Sequence, residues 1–314
     1  MQDLKQPGQM SRRFEALIAA ARHRMPLPTV VVHPCDARSL SGALDASSLG
    51  LITPIFVGPA AKMQKTAADA GRDLKVIELV DVPHSHAAAD QAVALVRAGR
   101  AKALMKGSLH TDELMGPVVN TATGLRTERH VSHVYAIDVP HHSKMLYITD
   151  AALNIYPDLD AKRDIAQNAI DLVRSLGVET PKVAVLSAVE TVTCKITSTI
   201  DAAALCKMAD RGQISGGIID GPLAFDNAIS LEAATAKDIK SAVAGDADIL
   251  LVPDLEAGNI LAKQLIYLGG AGSAGIALGA RVPIMLTSRA DGPMERLASC
   301  ALALLFNHSR ERKT

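Results

Sequence analysis

Three short stretches carry residue types that could hold an anion and move a proton. In Thr287-Ser288-Arg289-Ala290-Asp291, a hydroxyl, a guanidinium and a carboxylate follow the apolar run Val282–Leu286. Ligands of open α/β sheets gather at the C-terminal ends of strands, so this tip is placed for binding chemistry. Glu295 lies seven residues beyond Ser288, about two helical turns away if the next helix begins early. The competing reading makes Ser288 a helix cap and Asp291 a first-turn charge.

The stretch Met105–Thr111 reads MKGSLHT between an apolar strand and a helix, so Gly107 and Ser108 could present backbone N–H groups to an anion beside Lys106. An ordinary strand-to-helix turn with a surface lysine fits the same letters. Gly124–His130 (GLRTERH) sets Arg126 and Arg129 in a glycine-led loop, and their forks suit two phosphate oxygens. A solvated basic turn is the alternative. Gly270–Gly275 (GAGSAG) matches the dinucleotide fingerprint letter for letter. That fingerprint needs a strand ahead of it, whereas Ile260, Leu261, Gln264 and Leu265 have helical spacing. What remains is a close-approach loop for a phosphate-bearing ligand, or a helix-ending glycine turn. The histidine pairs His84/His86, His130/His133 and His141/His142 show no metal-ligand spacing, so no metal is expected.

Short β-branched runs alternate with stretches of helical period, which predicts an α/β fold with a largely parallel sheet. The expected strands are 29–33, 52–57, 75–79, 103–106, 131–139, 144–149, 182–187, 216–220, 248–252 and 282–287. Phe14, Leu17, Ile18 and Ala21 share a helical face, as do Ile165, Ala169, Val173 and Leu176 ahead of Gly177. A closing helix from about Pro293 aligns Leu297, Ala301, Leu304 and Leu305. The runs 131–139 and 144–149, joined by Pro140–Ser143, predict an antiparallel hairpin, and a domain change is expected near it.

Composition narrows the function classes. With 314 residues, 48% of them hydrophobic, the chain can bury a large core. Lys plus Arg balance Asp plus Glu at 33 each, so no long-range positive field draws nucleic acid. Cys35, Cys194, Cys206 and Cys300 form no C-x-x-C pair, which fits a reducing cytosol and buried thiols. No apolar run reaches membrane-spanning length and no signal-peptide core is present, so a soluble cytoplasmic protein is expected.

The motifs in order resemble the phosphate acetyl/butyryltransferase family, and lean toward its butyryl branch. The likeness runs from about Val30 to Leu305, through MKG at 105–107, GLRT at 124–127 continuing to Ser132-His133-Val134, and Ile148–Ile155 (ITDAALNI). It continues through Asp201–Gln213, Ile219–Leu223, Val252–Asn259 and Leu286–Asp291. The resemblance implies a two-domain isocitrate/isopropylmalate dehydrogenase-like fold with a cleft between domains, usually as a homodimer. The domains are expected as 1–141 plus 281–314, and 142–280, the second carrying the dimer contact. The implied reaction is acyl-CoA plus phosphate giving acyl phosphate plus free CoA, with coenzyme A as substrate and no resident cofactor or metal.

By the same resemblance, Ser288 and Arg289 sit at the thiol and phosphate, and Asp291 or Glu295 serves as base. Lys106, Gly107, Ser108, Arg126 and Arg129 are the expected phosphate-binding residues. Gly270, Gly272, Ser273 and Asn259 are the expected CoA-binding ones. The chain departs from the acetyl enzymes after His110-Thr111, where they carry an arginine and Leu114-Met115-Gly116-Pro117 stands here. Arg126 or Arg129 is the expected replacement. Two other readings are a metal- and NAD-dependent decarboxylating dehydrogenase of the same fold, and a non-catalytic acyl-CoA-binding relative. The first lacks the clustered aspartates that it needs.

Overall fold

The computed structural model describes residues 12–287 and 291–312, so Ser288 and Arg289 lie outside the described residues. The chain divides into two compact units. Among the described residues one comprises 12–128 with 274–287 and 291–312, and the other comprises Arg129–Ser273. The junctions expected at 141/142 and 280/281 therefore fall at 128/129 and 273/274. Both strands of the 131–149 hairpin pair with each other and belong to the same unit, which moves the boundary ahead of them.

The first unit opens with α1 (Arg12–Arg22), β1 (Leu27–Val32), α2 (Ala37–Ser48), β2 (Ile52–Gly58) and α3 (Ala60–Asp69). It continues through β3 (Glu78–Asp81), α4 (Ser85–Arg97), β4 (Ala103–Lys106) and α5 (Thr111–Val119). The Arg129–Ser273 unit holds β5 (Ser132–Asp138), β6 (Leu146–Thr149), α6 (Leu159–Ser175), β7 (Lys182–Leu186) and α7 (Thr197–Asp210). It also holds β8 (Ile218–Leu223), α8 (Phe225–Ile229), α9 (Leu231–Ala236), β9 (Ile249–Leu251) and α10 (Leu255–Tyr267). The chain then returns to the first unit with β10 (Gly272–Leu278), β11 (Ile284–Met285) and α11 (Pro293–Glu311).

In the first unit the strand order is β3-β2-β1-β4-β11-β10, parallel apart from the β10–β11 pair. From β1 the chain winds outward to β2 and β3, then crosses back to lay β4 on the other side of β1. That reversal is a topological switch point, and it leaves a crevice beyond the C-terminal ends of β1 and β4. Val30, Val31 and Val32 are fully buried, as a strand covered on both faces requires. Each such side chain contributes about 1.5–3 kcal/mol relative to exposure. α4 lies close on the sheet because its inner face is small, with Ala88, Ala89 and Ala92 all fully buried.

In the other unit the order is β5-β6-β9-β7-β8, with β5 and β6 forming the expected antiparallel hairpin. α6 presents Ile165, Ala169 and Val173 to the interior, and Gly177 ends it with φ 100°. That value lies in the left-handed region where only glycine is unstrained.

Candidate active site

Three loops converge at the switch point of the first unit. β1 is followed by Cys35 and Asp36, β4 ends on Lys106 with Gly107 and Ser108 behind it, and β11 is followed by Thr287. Together with Lys62 from the first turn of α3 and Arg296 from α11, they line a cavity of about 480 Å³. Sites for small organic ligands commonly span about 300–1,000 Å³. Lys106 is 5% exposed and Arg296 4%.

The Lys106 loop owes its shape to β1. The Gly107 N–H donates to Val32 O at 2.9 Å, and the Ser108 N–H donates to His33 O at 2.9 Å. A Cβ on Gly107 would lie 2.4 Å from Val32 O, so only glycine permits this approach. The expectation that these two N–H groups face an anion is thereby corrected: the β1–β4 pairing runs on past Lys106 and uses both. Ser108 Oγ is also engaged, donating to His33 O at 2.9 Å and accepting from the Cys35 N–H at 3.2 Å. His33 Nδ1 lies 3.2 Å from both Ser108 O and Ser108 Oγ. His33 takes φ 55°, an uncommon backbone for a residue with a Cβ, and its burial lowers its pKa.

Asp36 caps α2. Its Oδ1 accepts from the Ser39 N–H at 2.9 Å and its Oδ2 from Ser39 Oγ at 2.8 Å. Burial works to raise this carboxyl, but the Ser39 bonds and the nearby Arg296 charge outweigh it, and the pKa falls below the ordinary value. Burial also draws the Arg296 guanidinium down, against the opposing charges of Asp291 and Asp36. Arg296 Nη1 donates to Thr287 Oγ1 at 2.9 Å. Burial pushes the Cys35 thiol up to about 11 and the Cys300 thiol up to about 12, so both are neutral thiols at pH 7.

Of the two carboxylates named as base, Asp291 stands within electrostatic reach of Arg296. Glu295 occupies the third position of α11 and folds back over its cap, with Oε2 only 2.8 Å from where a Cβ on Gly292 would be. Arg126 does not line the cavity: it is exposed and forms an isolated bridge to Ala280, ahead of β11, whereas the cavity opens after that strand. Arg129, in the other unit, is bonded to Asp171 at 2.6 Å.

The four residues named for CoA occupy structural positions. α10 ends at Tyr267, and the Ala271 N–H turns back to Leu265 O while Gly270 takes φ 66°. The glycine run is thus a helix-ending turn that feeds β10, and Ser273 is 4% exposed within that strand. The side-chain amide of Asn259 donates to Ala151 O at 3.1 Å. Sequence reasoning passed over His33, Cys35, Asp36, Lys62 and Arg296. His33 closes an anticipated strand and Cys35 and Asp36 follow it, so the rule that singled out Lys106 could have found them. Among the described residues no group of three or more His, Cys, Asp or Glu could hold a metal ion. No helix among them is long and apolar enough to cross a membrane.

Comparison with known proteins matches residues 84–304 to the family described as "Phosphate acetyl/butaryl transferase". The chain is 64% identical to the phosphate acetyltransferase of Rhizobium meliloti over 300 residues, covering 96% of this chain and 95% of that one. It is 39% identical to the phosphate butyryltransferase of Clostridium acetobutylicum over 296 residues, 94% of this chain and 98% of that one. The similarity to the acetyl enzyme is thus the greater, opposite to the leaning read from the motifs. A branched-chain phosphotransacylase from Enterococcus faecalis V583 superposes with a TM-score of 0.77 at 29% identity, covering 90% of this chain and 99% of that one.

Proposed function

The chain belongs to the phosphate acetyl/butyryltransferase family, and from that premise we propose how its residues divide the work. It is a phosphate acyltransferase, moving a short acyl group reversibly between coenzyme A and inorganic phosphate. The observation that carries the arrangement is the cavity at the switch point, where Lys106 is buried beside the segment leading to Ser288 and Arg289. In the proposed arrangement the phosphoryl group binds there against Lys106, and Ser288 and Arg289, which follow Thr287 in the sequence, act at the thiol and phosphate.

Acyl phosphate is converted to thioester only if the CoA thiol becomes a thiolate, and a free thiol with pKa about 8.5 is mostly protonated at neutral pH. A carboxylate at the head of α11, Asp291 or Glu295, accepts that proton. A positioned base contributes about 10²–10⁴-fold to rate. Lys106 and Arg289 stabilise the charge that collects on the departing phosphate. In this reading the acyl group passes directly between the two aligned substrates, and burial leaves Cys35 and Cys300 as thiols that are not activated for attack.

We assign acetyl as the preferred group, on the 64% identity to an enzyme named for it. The isocitrate/isopropylmalate dehydrogenase-like architecture and the homodimer remain parts of the proposal that rest on the family resemblance, and the cytoplasmic location rests on the scattered cysteines. The test is thiol release from acetyl-, propionyl- and butyryl-CoA, each with and without phosphate. The proposal expects release only with phosphate, fastest from acetyl-CoA. Release that ignores phosphate would reject the reaction, and a preference for butyryl-CoA would reject the acetyl assignment.

A further inference from the structure

Beyond Lys106 and Arg289, a phosphate dianion brought to the switch-point cavity is held more firmly by further positive charge. The backbone cannot supply it, because the Gly107 and Ser108 N–H groups already donate to β1. The arginine that acetyl enzymes carry after the His-Thr pair is missing from Leu114–Pro117, and Met115 is 8% exposed within α5. Arg126 is bridged ahead of β11, and Arg129 is bonded to Asp171.

Arg296 answers the requirement. It lies in the first turn of α11, 4% exposed, and lines the same cavity as Lys106. Its bond to Thr287 Oγ1 at 2.9 Å fixes the orientation of the guanidinium at the end of β11. Its stem crosses α2 at Gly42, where a Cβ would fall 2.7 Å from Arg296 Cδ. A glycine inside a helix costs about 1 kcal/mol relative to alanine, and here it leaves room for this side chain.

The charges facing Arg296 are those of Asp36, Asp291 and Arg38. Asp36 is committed to capping α2 through both carboxylate oxygens. Lys62, Lys106 and Arg296 outnumber Asp36 among the charged residues that line the cavity.

We infer that Arg296 binds the phosphoryl group together with Lys106, in place of the arginine that the chain lacks after Thr111. This inference rests on the transferase reading above and adds a residue to it. The guanidinium fork holds two phosphate oxygens side by side, while the Lys106 ammonium acts as a point charge.

The experiment compares Arg296→Gln and Gly42→Ala with the unmodified enzyme in phosphate-dependent thiol release from acetyl-CoA, and follows thermal melting with and without inorganic phosphate. For Arg296→Gln the KM for phosphate should rise about tenfold or more while the KM for acetyl-CoA stays within about threefold, as loss of one charge-assisted contact predicts. The upward shift in melting temperature caused by phosphate should shrink or vanish. Gly42→Ala should move the same two readouts in the same direction by displacing the stem, with every cavity side chain retained.

An arginine that only braces Asp36, Asp291 and Thr287 would lower kcat or stability without singling out phosphate, and that pattern overturns the inference. So does an unchanged phosphate KM in folded Arg296→Gln. If that variant does not fold, an unchanged phosphate KM in Gly42→Ala overturns it. Should the unmodified enzyme show no phosphate-dependent turnover, the transferase reading fails instead, and the phosphate-induced melting shift still decides whether Arg296 binds the anion.

Discussion

Lys106 concentrates the physical problem of the site in one residue. Lys106 is 5% exposed and lines the switch-point cavity, so an anion bound there would meet a largely dehydrated ammonium. Lys106→Met keeps the stem and removes the charge. Melting temperature should stay level or rise, while the KM for phosphate should increase more than about tenfold. Steady-state kinetics beside a melting curve check this, and a phosphate KM within twofold of the original would remove Lys106 from the site. The two carboxylates at the head of α11 call for a paired comparison. If only one is the base, Asp291→Asn and Glu295→Gln should differ in kcat by about 10²-fold or more. Equal, mild losses would reject both. Lys106 and Thr287 were legible in the sequence because each closes an expected apolar strand. Arg296 was not, since its part depends on α11 placing the residue just after Glu295 back against α2 and Thr287, a tertiary fact without a local signature.

At the scale of elements, the β1–β4 contact decides whether the Lys106 loop exists. A Cβ on Gly107 would meet Val32 O at 2.4 Å and His33 O at 2.6 Å, both of them backbone atoms in a paired ladder that cannot yield cheaply. Gly107→Ala should therefore lower stability by about 1–3 kcal/mol, the usual range for overpacking, and abolish most activity. A urea midpoint equal to that of the original chain would show this contact to be looser than described. Ten strands and the hairpin could be anticipated from short apolar runs bounded by turn residues. β10 could not. Its sequence, GSAGIAL, offers one β-branched residue, and its place in the sheet comes from pairing with β11 and from the Gly275 N–H donating to Ser299 Oγ at 3.0 Å. The matched stretches 148–155 and 252–259 turn out to brace one another. Asp150 accepts from the Ala152 and Leu153 N–H groups, Asn154 donates to Val131 O, and Asn259 donates to Ala151 O. A motif can mark a family through its packing as much as through its chemistry.

For the whole molecule, titration links the site to stability. The folded His33 pKa is lowered by burial, so the unfolded chain binds that proton more readily. Its contribution is complete above the unfolded value near 6.5 and is lost as pH falls through the folded value. The pKa values of Asp36, Asp164, Glu190 and Asp246 are also lowered, and their contributions are lost only further down, as pH drops below about 4. Melting temperature should thus begin to decline below about pH 6.5 and fall again below about pH 4. His33→Gln should remove the first decline and leave the second, and a variant that keeps both would free His33 of that role. The division into two units was foreseeable in kind, but its junctions were not. The expected 141/142 junction would have cut the predicted 131–149 hairpin in two, whereas its two paired strands belong to one unit.

The most direct test of the central claim is a crystal structure of the protein soaked with acetyl phosphate. The account predicts phosphoryl density in the crevice beyond β1, β4 and β11, with oxygens within hydrogen-bond distance of Lys106 Nζ. Density for the ligand elsewhere, with only water in that crevice, would contradict it.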